Sequence, residues 1–141
     1  MVCVLVAMAL LGNAALCAEP VTDAKKRAKE EDKALVVYFF SRYCGYCEAM
    51  DKDVLNEKEV NALLKRDTVY VRIDVDKDPE TARKHNVRGF PTTLLVANTG
   101  KTIGKIPGYI PREAFKKILL FLKGRYYETM SLGDFLQKGA R

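Results

Sequence analysis

A run of seven apolar residues without polar alternation, at positions 34–40, most constrains how this chain can fold. The run contains Val, Tyr and Phe, residue types that favour strands. A strand without alternation is buried on both faces, which is typical of a parallel sheet covered by helices. A helical pattern follows, because Tyr46, Met50 and Val54 recur at four-residue spacing. The sequence therefore predicts a buried strand over 35–41 that leads directly towards a helix.

Two cysteines, Cys44 and Cys47, lie at this junction, separated by Gly45 and Tyr46. The free N–H groups and the dipole at a helix N-terminus stabilise an anion. A thiolate is an anion, and it is the nucleophile in thiol–disulfide exchange. The second cysteine lies one helical turn beyond the first, close enough to form a disulfide with it. The spacing therefore predicts a reactive dithiol at the start of a helix.

The length and the charge of the chain limit the classes of function. A chain of 141 residues is enough for one domain with a core of its own. Lys and Arg exceed Asp and Glu by six (24 against 18), but both signs are interleaved even in the densest charged stretch, 25–33. That pattern favours a solvated helix face over a nucleic-acid or membrane patch. We expect no nucleic-acid partner.

Residues 1–18 differ in composition from the rest of the chain. No charged residue occurs between Val2 and Ala18, and the apolar part is shorter than the roughly 20 residues that span a bilayer. It ends in small residues, which predicts a secretory signal peptide cleaved near Ala18 and an exported, for example periplasmic, domain over 19–141. No basic residue precedes Lys25, so an uncleaved anchor is an alternative, and Cys17 adds a lipoprotein alternative.

Cleavage would remove Cys3 and Cys17 and leave Cys44 and Cys47 as the only cysteines. A disulfide between residues three positions apart constrains the unfolded chain very little, so we interpret the pair as catalytic rather than structural. Structural zinc needs about four ligands, and His85 is the only histidine. We therefore expect no metal and no cofactor beyond a redox-active Cys44–Cys47 disulfide.

The remaining patterns predict alternating helices and strands. The expected fold is α/β, with a mixed sheet of about four strands flanked by helices on both faces, because strand–helix–strand units need parallel neighbours and a hairpin adds an antiparallel edge. The predicted segments are a helix capped by Thr22 or Asp23, a capping box at 56–59, a strand over 68–75, a helix from Asp78-Pro79, strands over 93–97 and 102–106, a helix from Pro111, and a short helix from Ser131.

Taken together, these motifs resemble the thioredoxin superfamily over about residues 34–122. The dithiol follows the first core strand, Asp-Lys-Asp-Pro at 76–79 leads into a helix, and Val-Arg-Gly-Phe-Pro-Thr at 87–92 is similar to the family's proline loop. The resemblance implies a thioredoxin-like fold in which the proline, here Pro91, is cis and packs against the cysteines. The signal-like start, together with the C-terminal tail that contains Tyr126, Tyr127 and Phe135, is most similar to small periplasmic thioredoxins.

The resemblance also implies roles for individual residues. Cys44 would attack a substrate disulfide, and the more buried Cys47 would resolve the mixed disulfide. Partners would be disulfide-containing proteins, with a membrane thiol-reductant transporter as electron donor, and we expect a monomer. Substrate binding is implied for the residues around the pair: Tyr43, Gly45, Tyr46, Phe90 and Pro91.

Three positions depart from the family's pattern. Tyr43 stands where tryptophan is usual, and Gly45-Tyr46 replaces Gly-Pro. Cys-Gly-Tyr-Cys is instead similar to the periplasmic disulfide isomerases, so an isomerase or oxidase is an alternative to a reductase. Tyr38 occupies the position of a buried aspartate that accepts the proton of the second cysteine in thioredoxins. A thioredoxin-fold interaction protein without turnover is a further alternative.

Another group then has to accept the proton of Cys47. Glu48 lies one turn beyond Cys44, and Asp51 lies one turn beyond Cys47. Either carboxylate could act directly or through water, and both are equally compatible with exposed helix charges. Arg42 is a candidate for stabilising the Cys44 thiolate, with a solvated surface arginine as the alternative.

Overall fold

The computed structural model describes residues 19–139, and the predicted signal peptide and its cleavage position lie outside them. Four strands form one sheet in the order β2-β1-β3-β4. The strands are β1 (Ala34–Phe40), β2 (Thr68–Asp74), β3 (Thr92–Val96) and β4 (Thr102–Pro107). The helices are α1 (Pro20–Glu30), α2 (Gly45–Met50), α3 (Lys58–Asp67), α4 (Pro79–Lys84), α5 (Arg112–Lys123) and α6 (Leu132–Lys138), with a π-helical turn Asp51–Leu55 and a 3-10 turn Tyr126–Glu128.

Helices cover both faces of this sheet, which confirms the predicted fold class. Alternate residues of β1 enter two separate cores, because successive side chains of a strand point to opposite faces. On one face, Leu35, Val37 and Phe39 pack with apolar residues of α1 and α4. On the other face, Val36 and Tyr38 pack with α2, α3 and α5. The apolar run at 34–40 is therefore the central layer of the domain, as its lack of alternation predicts.

The strand directions refine the prediction of a mixed sheet. β1 and β2 are parallel, whereas β3 is antiparallel to both β1 and β4. The connection through α4 does not join parallel neighbours, because it carries the chain from β2 past β1 to the far side of that strand. The C-terminal ends of β1 and β2 and the start of β3 consequently lie at the same end of the sheet. The cysteines follow β1 at this end.

Two predicted helix caps are wrong, that of α1 by three or four positions and that of α3 by one. α1 begins at Pro20 rather than after Thr22 or Asp23, because the Glu19 carboxylate accepts hydrogen bonds from the N–H groups of Val21 (3.3 Å) and Thr22 (3.1 Å). A longer acidic side chain thus satisfies the free N–H groups that a shorter polar residue usually binds.

The capping residue of α3 also differs from the prediction. Glu57, not Asn56, caps this helix, with its carboxylate 3.0 Å from the Val60 nitrogen. The predicted caps Asp78 and Ser131 are confirmed, since each side chain accepts a hydrogen bond from the backbone N–H three residues later. Within residues 19–139 no helix is both long and apolar enough to cross a membrane.

The segment after α5 folds back onto that helix. Phe135 of α6 lies 5.2 Å from Phe121 and 4.8 Å from Tyr126, measured between ring centroids. Arg125 forms a salt bridge with Asp32, in the turn before β1. This C-terminal extension, residues 124–139, therefore packs at the end of the sheet where β1 begins, and the cysteines lie beyond the opposite end.

Candidate functional site

The loop between β1 and Cys44 is held by two carboxylates, one at the last residue of β2 and one two residues beyond it. The Ser41 hydroxyl and the Arg42 backbone N–H both donate to Asp76, at 3.0 Å and 2.8 Å. The Arg42 side chain donates to Asp74 at 2.8 Å. The Arg42 side chain thus binds Asp74 and is 56% exposed, which favours its surface interpretation. Sequence reasoning missed the two aspartates as supports of the loop, since they lie more than 30 positions from it.

Cys44 is the N-cap of α2. Its Sγ accepts a hydrogen bond from the Cys47 backbone N–H at 3.2 Å and lies 3.4 Å from the carbonyl oxygen of Phe90. The Cys44 residue is partly exposed, and both cysteines are free thiols. The predicted proline loop thus reaches the dithiol through Phe90, whose carbonyl faces Cys44, and the Phe90–Pro91 peptide bond is cis.

Cys47 differs sharply from Cys44 in its surroundings. Only 2% of its surface is exposed. Burial raises the pKa of its thiol to about 12, with further contributions from the hydrogen bond with Cys44 and the negative charge of Asp51. The Tyr38 hydroxyl donates to the carbonyl oxygen of Cys47 at 3.5 Å. The pair therefore consists of an accessible thiol and a buried thiol that holds its proton.

Tyrosines surround the accessible thiol. Tyr43 is 91% exposed and Tyr46 is 72% exposed, so both side chains project into solvent beside Cys44. The four-residue spacing of Tyr46, Met50 and Val54 correctly predicts that Tyr46 lies in a helix, although only Met50 and Val54 are buried. A Cβ placed on Gly45 would meet no atom within 4 Å, so packing does not require a glycine there.

The two candidate proton acceptors have different environments. Glu48 is exposed. Asp51 instead forms a bidentate salt bridge with Arg72 of β2, at 2.6 Å and 2.9 Å. The Arg72 guanidinium also lies over two aromatic rings of β1, 5.2 Å from the centroid of Tyr38 and 4.6 Å from that of Phe40.

Arg72 is a site residue that sequence reasoning missed. It is the direct neighbour of Tyr38 in the parallel pairing of β1 with β2. The signal was an arginine two positions after Tyr70, because residues at this spacing share one face of a strand. In the described part of the chain, no group of three or more His, Cys, Asp or Glu side chains is arranged to hold a metal ion.

An exposed thiol at a helix start, a buried partner one turn later and a proline loop facing them define a thiol–disulfide redox protein. A family model described as a thioredoxin-like domain matches residues 21–123. The thioredoxin of Staphylococcus aureus is 35% identical over 99 residues, which cover 70% of this chain and 91% of that protein.

Solved structures agree with the sequence matches. A thioredoxin from Thermus thermophilus is 33% identical with a TM-score of 0.62, and the match covers 72% of this chain and 82% of that one. A thioredoxin-fold protein from Helicobacter pylori is 27% identical with a TM-score of 0.67, covering 77% and 80%. The chain belongs to the thioredoxin-like family. Its activity class is therefore that of a thiol–disulfide oxidoreductase.

Proposed function

We propose that this protein is exported and reduces disulfides in other proteins through Cys44 and Cys47. The observation that carries the proposal is the unequal exposure of the two thiols, since Cys44 is accessible and Cys47 is only 2% exposed. A substrate can reach only Cys44, so the first covalent bond forms there. The hydrogen bond from the Cys47 N–H at 3.2 Å stabilises a negative charge on the Cys44 sulfur.

The proposed reaction has two exchange steps. The Cys44 thiolate attacks one sulfur of the substrate disulfide, which forms a mixed disulfide and releases the other substrate sulfur as a thiolate that takes up a proton. Cys47 then loses its proton and attacks the Cys44 sulfur. This step forms the Cys44–Cys47 disulfide and releases the second substrate thiol. Two electrons pass from the dithiol to the substrate, and a further dithiol has to reduce the protein again.

Substrate binding is proposed for the surface around Cys44. Tyr43 and Tyr46 project from it and offer apolar contact area with a polar tip. On the other side, the backbone of Phe90 next to Pro91 is available to pair with an extended substrate chain. Gly45 lies open between the cysteines and leaves room for the substrate sulfur to approach.

Trapping tests this function directly. A Cys47→Ser variant should accumulate mixed disulfides with substrate proteins on Cys44, because the second step cannot occur. Mass spectrometry of the trapped species identifies the substrates. The Cys44→Ser variant is the matched control and should trap nothing. A folded Cys47→Ser variant without mixed disulfides would contradict turnover and favour the alternative of a thioredoxin-fold interaction protein.

An isomerase or oxidase is the second candidate, and Tyr46 favours it. This residue replaces a proline in the first turn of α2 and projects into solvent, so the surface beside Cys44 differs from that of a Gly-Pro site. Equilibration of the dithiol with glutathione separates the candidates. A potential near about −270 mV supports the reductase, whereas one near about −120 mV contradicts it and supports an oxidase.

The proposed location and partners rest on the uncharged, apolar segment 1–18. Outside a reducing compartment the protein needs electrons from across the membrane, so we propose a membrane thiol-reductant transporter as donor. A form that keeps residues 1–18 would be anchored at the membrane. We propose a monomer, because a single accessible thiol surface is enough for both the substrate and the donor.

A further inference from the structure

The resolving step poses a chemical problem that the environment of Cys47 makes acute. The inference below rests on the proposed function, in which the resolving step needs the Cys47 thiolate. The Cys47 thiol, however, is buried, and its pKa is raised to about 12. Around neutral pH the proton therefore has to pass to a neighbouring group as the sulfur attacks. The charged and titratable groups that influence Cys47 or its neighbours are Cys44, Tyr38, Asp51, Tyr70 and Arg72.

Two of the neighbours do not fit the role of proton acceptor. Burial raises the pKa of Tyr38 far above its ordinary value, and the negative charge of Asp51 raises it further. The Tyr38 hydroxyl thus keeps its own proton and donates it to the Cys47 carbonyl oxygen. Burial also raises the pKa of Tyr70, so that hydroxyl is protonated as well.

Asp51 lies one helical turn beyond Cys47, and its negative charge contributes to raising the pKa of that thiol. Its backbone N–H donates to the carbonyl oxygen of Cys47, so the carboxylate projects from the next turn of the same helical segment. Both carboxylate oxygens bind the Arg72 guanidinium, at 2.6 Å and 2.9 Å. The two aromatic rings below Arg72 limit its movement, and a bidentate pair of this kind fixes the carboxylate in direction as well as position.

We infer that Asp51 accepts the proton of Cys47 in the resolving step, and that Arg72 is the positioning residue that holds the Asp51 carboxylate for this transfer. The proton passes from the Cys47 sulfur to Asp51 as the sulfur attacks Cys44, the Cys44–substrate sulfur bond breaks, and the substrate leaves as a thiolate. Asp51 later returns the proton to solvent, because its side chain is 26% exposed.

The transfer conserves the total charge of Cys47, Asp51 and Arg72. Before the step, Arg72 neutralises the Asp51 carboxylate, and the carboxylate charge opposes a thiolate on Cys47. Once Asp51 has taken the proton, the carboxylate charge is gone while the Arg72 charge remains. The positive guanidinium then stabilises the negative sulfur. The net charge of the three groups stays constant, so no additional charge is created in the buried site.

The test measures the resolving step in the full protein. Reduced protein is mixed with an excess of a disulfide-bonded peptide, quenched with acid, and the mixed disulfide is followed by intact mass. Asp51→Asn should slow the decay of the mixed disulfide at pH 7 by about 100-fold, the scale of general base catalysis. Arg72→Lys should give a rate between those of the wild type and Asp51→Asn. Lysine keeps the positive charge but cannot bind both carboxylate oxygens as the guanidinium does. Glu59→Gln removes the Lys116–Glu59 salt bridge at 2.9 Å and should leave the rate unchanged.

A second readout separates proton transfer from a structural or purely electrostatic role. Asp51→Asn removes a negative charge and should lower the Cys47 pKa, measured by NMR titration of the labelled cysteine. If Asp51 were not the proton acceptor, the lower Cys47 pKa in this variant would speed the resolving step. A slower step together with a lower pKa therefore supports the inference. Resolution as fast as in the wild type, or faster, would overturn it.

Chemical rescue covers the case in which Asp51→Asn perturbs packing. Formate should accelerate resolution in Asp51→Ala in proportion to its concentration and leave the wild type unchanged, because the Asp51–Arg72 pair is partly open to solvent. Absence of rescue in a folded variant would contradict the inference. Trapping by Cys47→Ser does not involve Asp51, so failure of the proposed function is seen there independently.

Discussion

At the scale of single residues, Tyr38 shows how burial and hydrogen bonding divide roles in the site. Its side chain is fully buried on β1, yet its hydroxyl makes only a 3.5 Å hydrogen bond to the Cys47 carbonyl oxygen. The ring contributes more, because it packs in the core and lies 5.2 Å from the Arg72 guanidinium. The Tyr38 ring thus packs in the core and supports the Arg72–Asp51 ion pair, whereas the hydroxyl contributes little to either.

Tyr38→Phe should therefore be nearly neutral. The variant keeps the ring below Arg72 and loses one long hydrogen bond, so the free energy of unfolding should change by less than about 1 kcal/mol. The rate of the resolving step at pH 7 should also stay at the wild-type value, because the hydroxyl does not accept the proton. Urea unfolding and the peptide assay measure the two quantities. A slow resolving step would show that the hydroxyl takes part in proton transfer.

The helix caps show which features of the fold and the site can be predicted from the sequence. Asp78 and Ser131 bond N–H groups three positions later, so the pattern that predicts them is contained in a few neighbouring residues. The same is true of the buried strand and of the dithiol that follows it. The salt bridge between Asp51 and Arg72 joins residues 21 positions apart. No local pattern identifies that partner, because the contact depends on the register between β1 and β2.

At the scale of secondary-structure elements, the C-terminal extension is a packing unit separate from the redox site. Phe135 of α6 contacts Phe121 of α5 and Tyr126 of the 3-10 turn. Asp32 and Asn98 hold the same segment at the amino-terminal end of β1, through Arg125 and Tyr127. The thioredoxin-like match ends at residue 123, so this segment adds to the family's core. Its position opposite Cys44 predicts an effect on stability alone.

Phe135→Ala tests this separation. Phe135 is partly buried, and its loss uncovers Phe121, so the free energy of unfolding should fall by about 2 kcal/mol, below the range for a fully buried phenylalanine. The glutathione equilibrium of the dithiol should not change. Gln137→Ala, an exposed position of the same helix, is the control and should leave both quantities unchanged. A shifted redox equilibrium in Phe135→Ala would mean that the extension is coupled to the dithiol.

At the scale of the whole molecule, the first described residue caps the first helix of the domain. Glu19 supplies both side-chain hydrogen bonds that cap α1, and its carboxylate lies 3.5 Å from His85 Nε2. Burial alone would raise the pKa of this carboxyl, but the hydrogen bonds with Thr22 and Val21 and the nearby His85 outweigh it and lower the pKa. The carboxylate is therefore charged at neutral pH, and a chain that begins at Glu19 keeps the complete cap.

This geometry leads to a prediction about maturation. When the full chain is expressed in a bacterium with an outer membrane, we expect the protein in the periplasmic fraction, with a mature mass that starts at Glu19. Ala18→Arg is the control, because a large charged residue at the predicted cleavage position should block processing and leave the domain bound to the membrane. A mature chain that starts at Cys17 and carries lipid would replace the signal-peptide interpretation with the lipoprotein alternative. Full-length protein in the cytoplasm of both variants would contradict export, and the electron donor would then have to be a soluble dithiol rather than a membrane transporter.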